Sequence, residues 1–182
     1  MQERDVTMML RAWGSGDSAV GDELFAVIYD ELRALAAVHQ RNKTTIGPTA
    51  LVHETFLQMA KEKKLDWRDR TQFYAFTSVV MRRFMASYWR NKRTAKRGGE
   101  FETVVFDESI TPLFEKGIDG EALDQALTRL DSIDPRLSKI VELRFFGGLS
   151  MDETADHLGL SRRTVTRDWG MAKSYLAAQL AR

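Results

Sequence analysis

The chain has 182 residues, 43% hydrophobic and 29% charged, with 27 Lys/Arg against 26 Asp/Glu, three prolines and no cysteine. That apolar fraction builds one packed domain or two small ones and excludes a disordered chain, and no apolar run nears the roughly 18 residues of a membrane helix. Disulfides, thiolate metal sites and cysteine nucleophiles are excluded, and the opening Met1-Gln2-Glu3-Arg4-Asp5 has no apolar signal core, so a cytoplasmic location is expected.

The near-neutral total conceals segregation. Residues 1–99 hold 17 Lys/Arg against 11 Asp/Glu, whereas residues 100–182 hold 10 against 15. Acids crowd the stretch 100–124, where eight of them face Lys116 alone. Such a split predicts a basic module and a second module joined by an acidic segment.

In chain order, a short helix is expected around Val6–Trp13, closed by Gly14-Ser15-Gly16-Asp17. From Asp22 to Arg41, Leu24, Ile28, Leu32, Leu35 and Val38 recur at helical spacing. Pro48 suits a first helical position, and Leu51, Val52, Thr55, Phe56 and Met59 follow as an apolar face. A longer helix, about Thr71 to Thr94, carries Phe73, Phe76, Val80, Phe84 and Tyr88 in one stripe. Opposite lie Arg82, Arg83, Arg90 and Arg93, extended by Lys92, Lys96 and Arg97, with no acid between Phe73 and Gly99. Tyr74, Tyr88 and Trp89 are interleaved with these charges. A basic face with aromatics can hold a phosphate backbone and stack unpaired bases; the plain alternative is core aromatics beside solvated arginines.

Residues 96–118 keep no helical period and read as a linker. Helices resume near Asp119, and Asp134-Pro135 is an N-cap followed by a first-turn proline. Ser150-Met151-Asp152-Glu153 is a capping box, Gly159 a left-handed stop, and Ser161 the cap of a further helix. Two short helices joined this way fit a helix-turn-helix. In the second, Val165, Trp169, Ala172 and Leu176 form the core stripe, leaving Arg163, Thr166, Arg167 and Gly170 opposite. Arginines beside a hydroxyl at the start of a groove-entering helix reach phosphates and base edges, with Arg162, Thr164 and Lys173 as flanking candidates; the plain alternative is a helical hairpin with solvated arginines.

The succession Val52-His53-Glu54-Thr55-Phe56-Leu57, Phe73-Tyr74-Ala75-Phe76, the Arg82–Arg97 basic helix and Val141-Glu142-Leu143-Arg144-Phe145-Phe146-Gly147-Gly148-Leu149-Ser150 resembles the extracytoplasmic-function (ECF) sigma factors from about residue 5 to about 180. Pro48-Thr49-Ala50-Leu51-Val52-His53-Glu54 and Ala95-Lys96-Arg97-Gly98-Gly99 look like one subgroup of that family. The resemblance implies an all-α protein of two small helical domains: residues 1–95 a helical bundle, 96–118 an irregular acidic linker, 119–182 the helix-turn-helix domain. It implies that the first domain binds the clamp helices of the largest subunit of core RNA polymerase through Thr49, Leu51, His53, Glu54 and Gln58. It further implies melting of the promoter −10 element through Tyr74, Arg82, Arg83, Trp89, Arg90, Lys92 and Arg93. The second domain, beside the flap of the second-largest subunit, would read the −35 element through Arg162, Arg163, Thr164, Thr166, Arg167 and Lys173. No cofactor, metal or catalysis is implied.

Two departures from the family pattern matter. Family members carry several carboxylates just before the Leu-Val-Gln-Glu stretch, but here Gly47-Pro48-Thr49-Ala50 has none and His53 replaces glutamine. A phosphate on Thr49 would supply about −1.5 to −2 charge at a helix N-terminus, so a Ser/Thr kinase acting there, with Thr44 and Thr45 as lesser sites, is the expected switch. In the melting helix, Arg82-Arg83 and Ser87 stand where the family often has an Arg-Asn pair and a later aspartate.

Two other classes compete. A helix-turn-helix regulator acting without polymerase accounts for 150–180 but leaves the basic aromatic helix without a role. An enzyme lacks its parts: His53-Glu54 opens like a zinc-protease motif, but Leu57 occupies the second ligand position, and His39 and His157 lie in unrelated helices.

Overall fold

The computed structural model describes residues 3–17, 19–38, 48–61, 69–95, 103–104 and 118–181, and these are overwhelmingly helical. The helices are α1 (Glu3–Gly14), α2 (Ala19–Val38), α3 (Pro48–Lys61), α4 (Arg70–Ala95), α5 (Gly120–Ile133), α6 (Pro135–Val141), α7 (Met151–Leu158) and α8 (Arg162–Leu180). Each predicted helix is present. Two short pieces were not foreseen. A π-helical turn, Glu142–Phe146, continues α6, closed by the Gly147 N–H on the Glu142 carbonyl at 3.2 Å. Within the stretch read as irregular, Thr103–Val104 (β1) pairs antiparallel with Ile118–Asp119 (β2), Thr103 opposite Asp119.

The local signals behave as their chemistry requires. Asp134 accepts from the Arg136 and Leu137 backbone N–H groups, with Pro135 opening α6. Ser150 and Glu153 form the reciprocal capping box, and Ser161 caps α8 through the Thr164 N–H. Gly159 sits at φ 64°, where a side chain would be strained, and this lets α7 stop and α8 begin three residues later.

The buried stripes merge into one connected core. Leu10 of α1, Leu24, Ile28 and Leu32 of α2, Val52 of α3 and Phe73, Met81 and Met85 of α4 join Leu123, Leu127, Ile140, Leu143, Phe146, Val165, Trp169, Ala172 and Leu176 from the C-terminal elements. Each buried Val, Leu, Ile, Met or Phe among them adds roughly 1.5–3 kcal/mol over its exposed state. α4 is the shared wall: α1 and α3 pack on it, and so do α5, α7 and the π-helical turn. Small groups permit that second contact. Thr77 and Ser78 are fully buried, with hydroxyls turned back onto the Phe73 and Ala75 carbonyls. Against them lies Gly147, where a Cβ would stand 3.0 Å from the Ser78 Cβ and 2.6 Å from the Leu143 carbonyl oxygen.

Candidate nucleic-acid interface

Three surfaces carry the residues singled out from sequence. The first is the outward side of α3. Thr49, His53 and Leu57 are exposed at successive turns, with Leu57 56% exposed. Beside them Gln58 donates to Glu54 at 2.8 Å. The first turn of α3 carries no acid, and the Tyr29 hydroxyl donates to the Thr49 hydroxyl at 3.5 Å. Leu57 was missed from sequence as part of this surface, although its i+4 spacing from His53 points to it. The Leu51 side chain, and Thr44 and Thr45, lie outside the described residues.

The second surface is α4. Arg83 is exposed and, with Glu54, Gln58, Val80, Phe84 and Ser87, lines an open cleft of about 300 Å³ between α3 and α4. The cleft thus joins residues from the polymerase-contact and strand-contact sets. Arg82 is not presented outward: its Nη1 lies 3.4 Å from Oε2 of Glu142, with side chains only 17% and 10% exposed. Glu142 also binds Lys139. Arg90 reaches Asp124 of α5 at 3.6 Å, and Arg70 reaches Glu153 of α7 at 3.7 Å. The basic helix is therefore clasped by acids of the C-terminal half. Trp89, Lys92 and Arg93 belong to α4 by backbone, but their side chains lie outside the described residues, as do Lys96 and Arg97.

Tyr74, expected on this surface, is buried. Its ring packs edge-on against Phe73, its hydroxyl donates to Glu31 of α2, and Arg70 lies 4.7 Å above its face while binding Glu31 at 2.7 Å. Burial and the Glu31 partner push the Tyr74 hydroxyl well above its ordinary pKa. Burial pushes the Glu31 carboxyl up, but the bonds from Tyr74 and Arg70 outweigh it and hold the group below its ordinary value. The residue anchors α4 to α2, because the apolar stripe of α4 covers one side of the helix and α2 covers the next.

The third surface is the start of α8. Arg163 and Thr166 are exposed with no cap to maintain, and Arg167 is exposed beside Asp168. Two other candidates have local tasks: the Thr164 hydroxyl lies 2.8 Å from the Ser161 hydroxyl in the cap, and Arg162 bridges to Asp152 of α7 at 2.9 Å. Lys173 lies 5.8 Å from the centre of the Trp169 ring, and Arg144 lies 4.9 Å from it while donating to the Leu149 carbonyl. These cations hold the flank of the indole that fixes α8 in the core.

Among the described residues no cluster of His, Asp and Glu is arranged to hold a metal, and no helix is long and apolar enough to cross a membrane. His53 is exposed; partial burial and nearby Lys139 hold the His157 pKa below its ordinary value; His39 lies outside the described residues. No curated protein matches the chain. The family model described as "ECF sigma factor" matches residues 3–182. The chain thus belongs to the ECF sigma factor family, alternative sigma factors that bind RNA polymerase, recognise promoter DNA and catalyse nothing themselves.

Proposed function

We propose that the protein engages core polymerase through the α3 ridge of Thr49, His53, Glu54, Leu57 and Gln58, reads −35 duplex with the helix-turn-helix α7–α8, and captures melted −10 strand along α4 with Arg82, Arg83 and Arg90. Residues 1–95 act as the polymerase-binding and melting unit, 119–182 as the −35 unit and 96–118 as the linker, all in the cytoplasm. The observation that carries this reading is the outward set Arg163, Thr166 and Arg167 on a helix whose opposite stripe is locked in the core. Charge and hydroxyl at the first turns of a rigid helix match what major-groove readout needs.

Phosphorylation of Thr49 completes the polymerase face. In support, Thr49 is exposed, heads a first turn without acids, and shares a ridge with His53 and Leu57. A phosphate there replaces the carboxylates the family places at this point and is favoured by the helix dipole. The test is titration of bacterial core polymerase with labelled full-length protein, unmodified and carrying phosphothreonine at 49. At least tenfold tighter binding by the phosphorylated form is expected. Equal, tight binding by both reduces Thr49 to a helix-start residue, and binding by neither overturns the assignment of α3 to polymerase.

A further inference from the structure

Asp168, the residue after Arg167, is a fully buried carboxylate on the recognition helix. Its Oδ1 lies 2.9 Å from Nε and 2.8 Å from Nη2 of Arg167. Its Oδ2 lies 2.9 Å from Nε of Arg136, which stands on the first turn of α6. A carboxylate withdrawn from water requires a cation; Arg167 supplies that charge at Oδ1 alone, while Oδ2 accepts no hydrogen bond among the described residues and has Arg136 as its ion-pair partner. The second guanidinium makes the group net positive. Both arginines also keep their charge at the surface, with side chains 48% and 64% exposed.

The supports of the group are stiff. Asp134 fixes the α6 turn that carries Arg136, and α8 is anchored on both sides of Asp168 by buried Val165, Trp169 and Ala172. Around α8, Asp168 lies about 100° from Arg167, between the core stripe and the outward face. It can therefore tie an outward arginine to a neighbouring helix. This half of the chain has an excess of acids, so a doubled cation beside Arg163 and Thr166 is a local exception that suits an anionic partner.

We infer that Arg136 is a further phosphate contact of the −35 surface, and that Asp168 is the positioning residue that holds Arg136 and Arg167 at one spacing. The inference rests on reading α8 as the duplex-binding helix. Sequence alone hides it: Arg136 is remote from α8 along the chain, and Asp168 looks like an acid that would repel DNA.

The experiment uses the full chain and a labelled random-sequence duplex, with affinity measured across a range of KCl concentrations and melting temperature measured in parallel. Each phosphate contact contributes a slope of about 0.9 in log affinity against log salt, or about eightfold in affinity at 0.1 M salt. Arg136→Gln is expected to lose that much. Asp168→Asn removes a negative charge, which by electrostatics alone tightens DNA binding; positioning predicts a threefold or greater weakening instead. The double variant Arg136→Gln/Asp168→Asn removes the buried acid that needs a counter-ion, so melting temperature should recover while the DNA defect stays.

Recovery of both in the double variant, or tighter binding by Asp168→Asn, overturns the inference and leaves Arg136 a structural counter-ion. Arg163→Ala separates the two levels. If Arg163→Ala lowers the slope and Arg136→Gln does not, the inference about Arg136 fails alone. If Arg163→Ala leaves the slope unchanged, or the unaltered chain does not bind, the reading of α8 fails as well.

Discussion

Glu142→Gln should open the protein. In the closed arrangement Glu142 faces Arg82 at 3.4 Å, with side chains 10% and 17% exposed, and the two residues belong to opposite halves of the chain. At an effective dielectric of about 20, two unit charges at that distance attract by about 5 kcal/mol before desolvation is subtracted. Truncating one partner of a buried pair costs about 3–5 kcal/mol. Glutamine keeps the volume and a hydrogen-bond acceptor, and Lys139 returns readily to solvent, so about 2 kcal/mol is the working figure. All of it weighs against the closed form, because Arg82 is hydrated once the halves part. That shifts the open-to-closed ratio roughly thirtyfold. The absence of native cysteine permits clean labelling at two introduced cysteines, replacing exposed Glu23 of α2 and exposed Ser174 of α8. Single-molecule energy transfer between the labels then reads the closed fraction, which should fall accordingly. Glu153→Gln is the control, since its pairing with Arg70 at 3.7 Å is a rim contact contributing about 0–1 kcal/mol. A folded Glu142→Gln protein with unchanged energy-transfer distribution would refute the reasoning.

Gly147→Ala should lower stability by about 1–3 kcal/mol, because the new methyl meets the Leu143 carbonyl at 2.6 Å and Ser78 across the interface; thermal melting by circular dichroism reads it. Ser150→Ala removes one half of the capping box and should cost about 1 kcal/mol in the same assay. The Glu31–Tyr74–Arg70 cluster sets limits at both ends of the pH scale. Glu31 is held below its ordinary 4.5, so its contribution is present above that value and is lost as pH falls through the lower folded value. Tyr74 is raised above its ordinary 10.0, so its contribution is present below that value and disappears as pH rises through the higher folded one. Tyr74→Phe should flatten the alkaline limb and weaken the acid limb of a stability-against-pH curve; a curve with both limbs intact counts against the cluster.

Helix positions were legible because their signals are local. Spacing marks α2, α4 and α8, and Asp134-Pro135, Ser150/Glu153, Gly159 and Ser161 mark boundaries through bonds made within four residues. What periodicity cannot state is which neighbour covers the remaining sides of a helix. Tyr74 sits off the Phe73/Phe76/Phe84 stripe and looked available, yet α2 brings Glu31 to it. Arg82 looked solvated, yet the π-helical turn brings Glu142 to it. The turn itself is invisible in a run such as Val141-Glu142-Leu143-Arg144-Phe145-Phe146, where one extra residue per turn leaves the apolar pattern nearly intact. Asp168 was illegible for the same reason as Tyr74, since its partner Arg136 comes from another helix.

The charge segregation seen in the sequence is met in part where the two halves pack together. The N-terminal half carries the excess of bases and the C-terminal half the excess of acids. Where the halves meet, Arg70, Arg82 and Arg90 end on Glu153, Glu142 and Asp124. Acids thus occupy positions on α4 that phosphates would take on the proposed reading, whereas Arg163 and Thr166 on α8 are already exposed. The two proposed DNA faces are therefore unequal in this arrangement. If α8 binds duplex and α4 binds single strand as proposed, duplex can meet α8 while the halves are together, but strand capture along α4 requires the acids to leave first. On that reading, separating the halves exchanges the Arg82 and Arg90 ion pairs for phosphate contacts, a substitution that changes little in charge and much in geometry. The net cost of opening then falls mainly on the apolar contact around Gly147 and Ser78 and on the pair least exposed to water, Arg82 with Glu142.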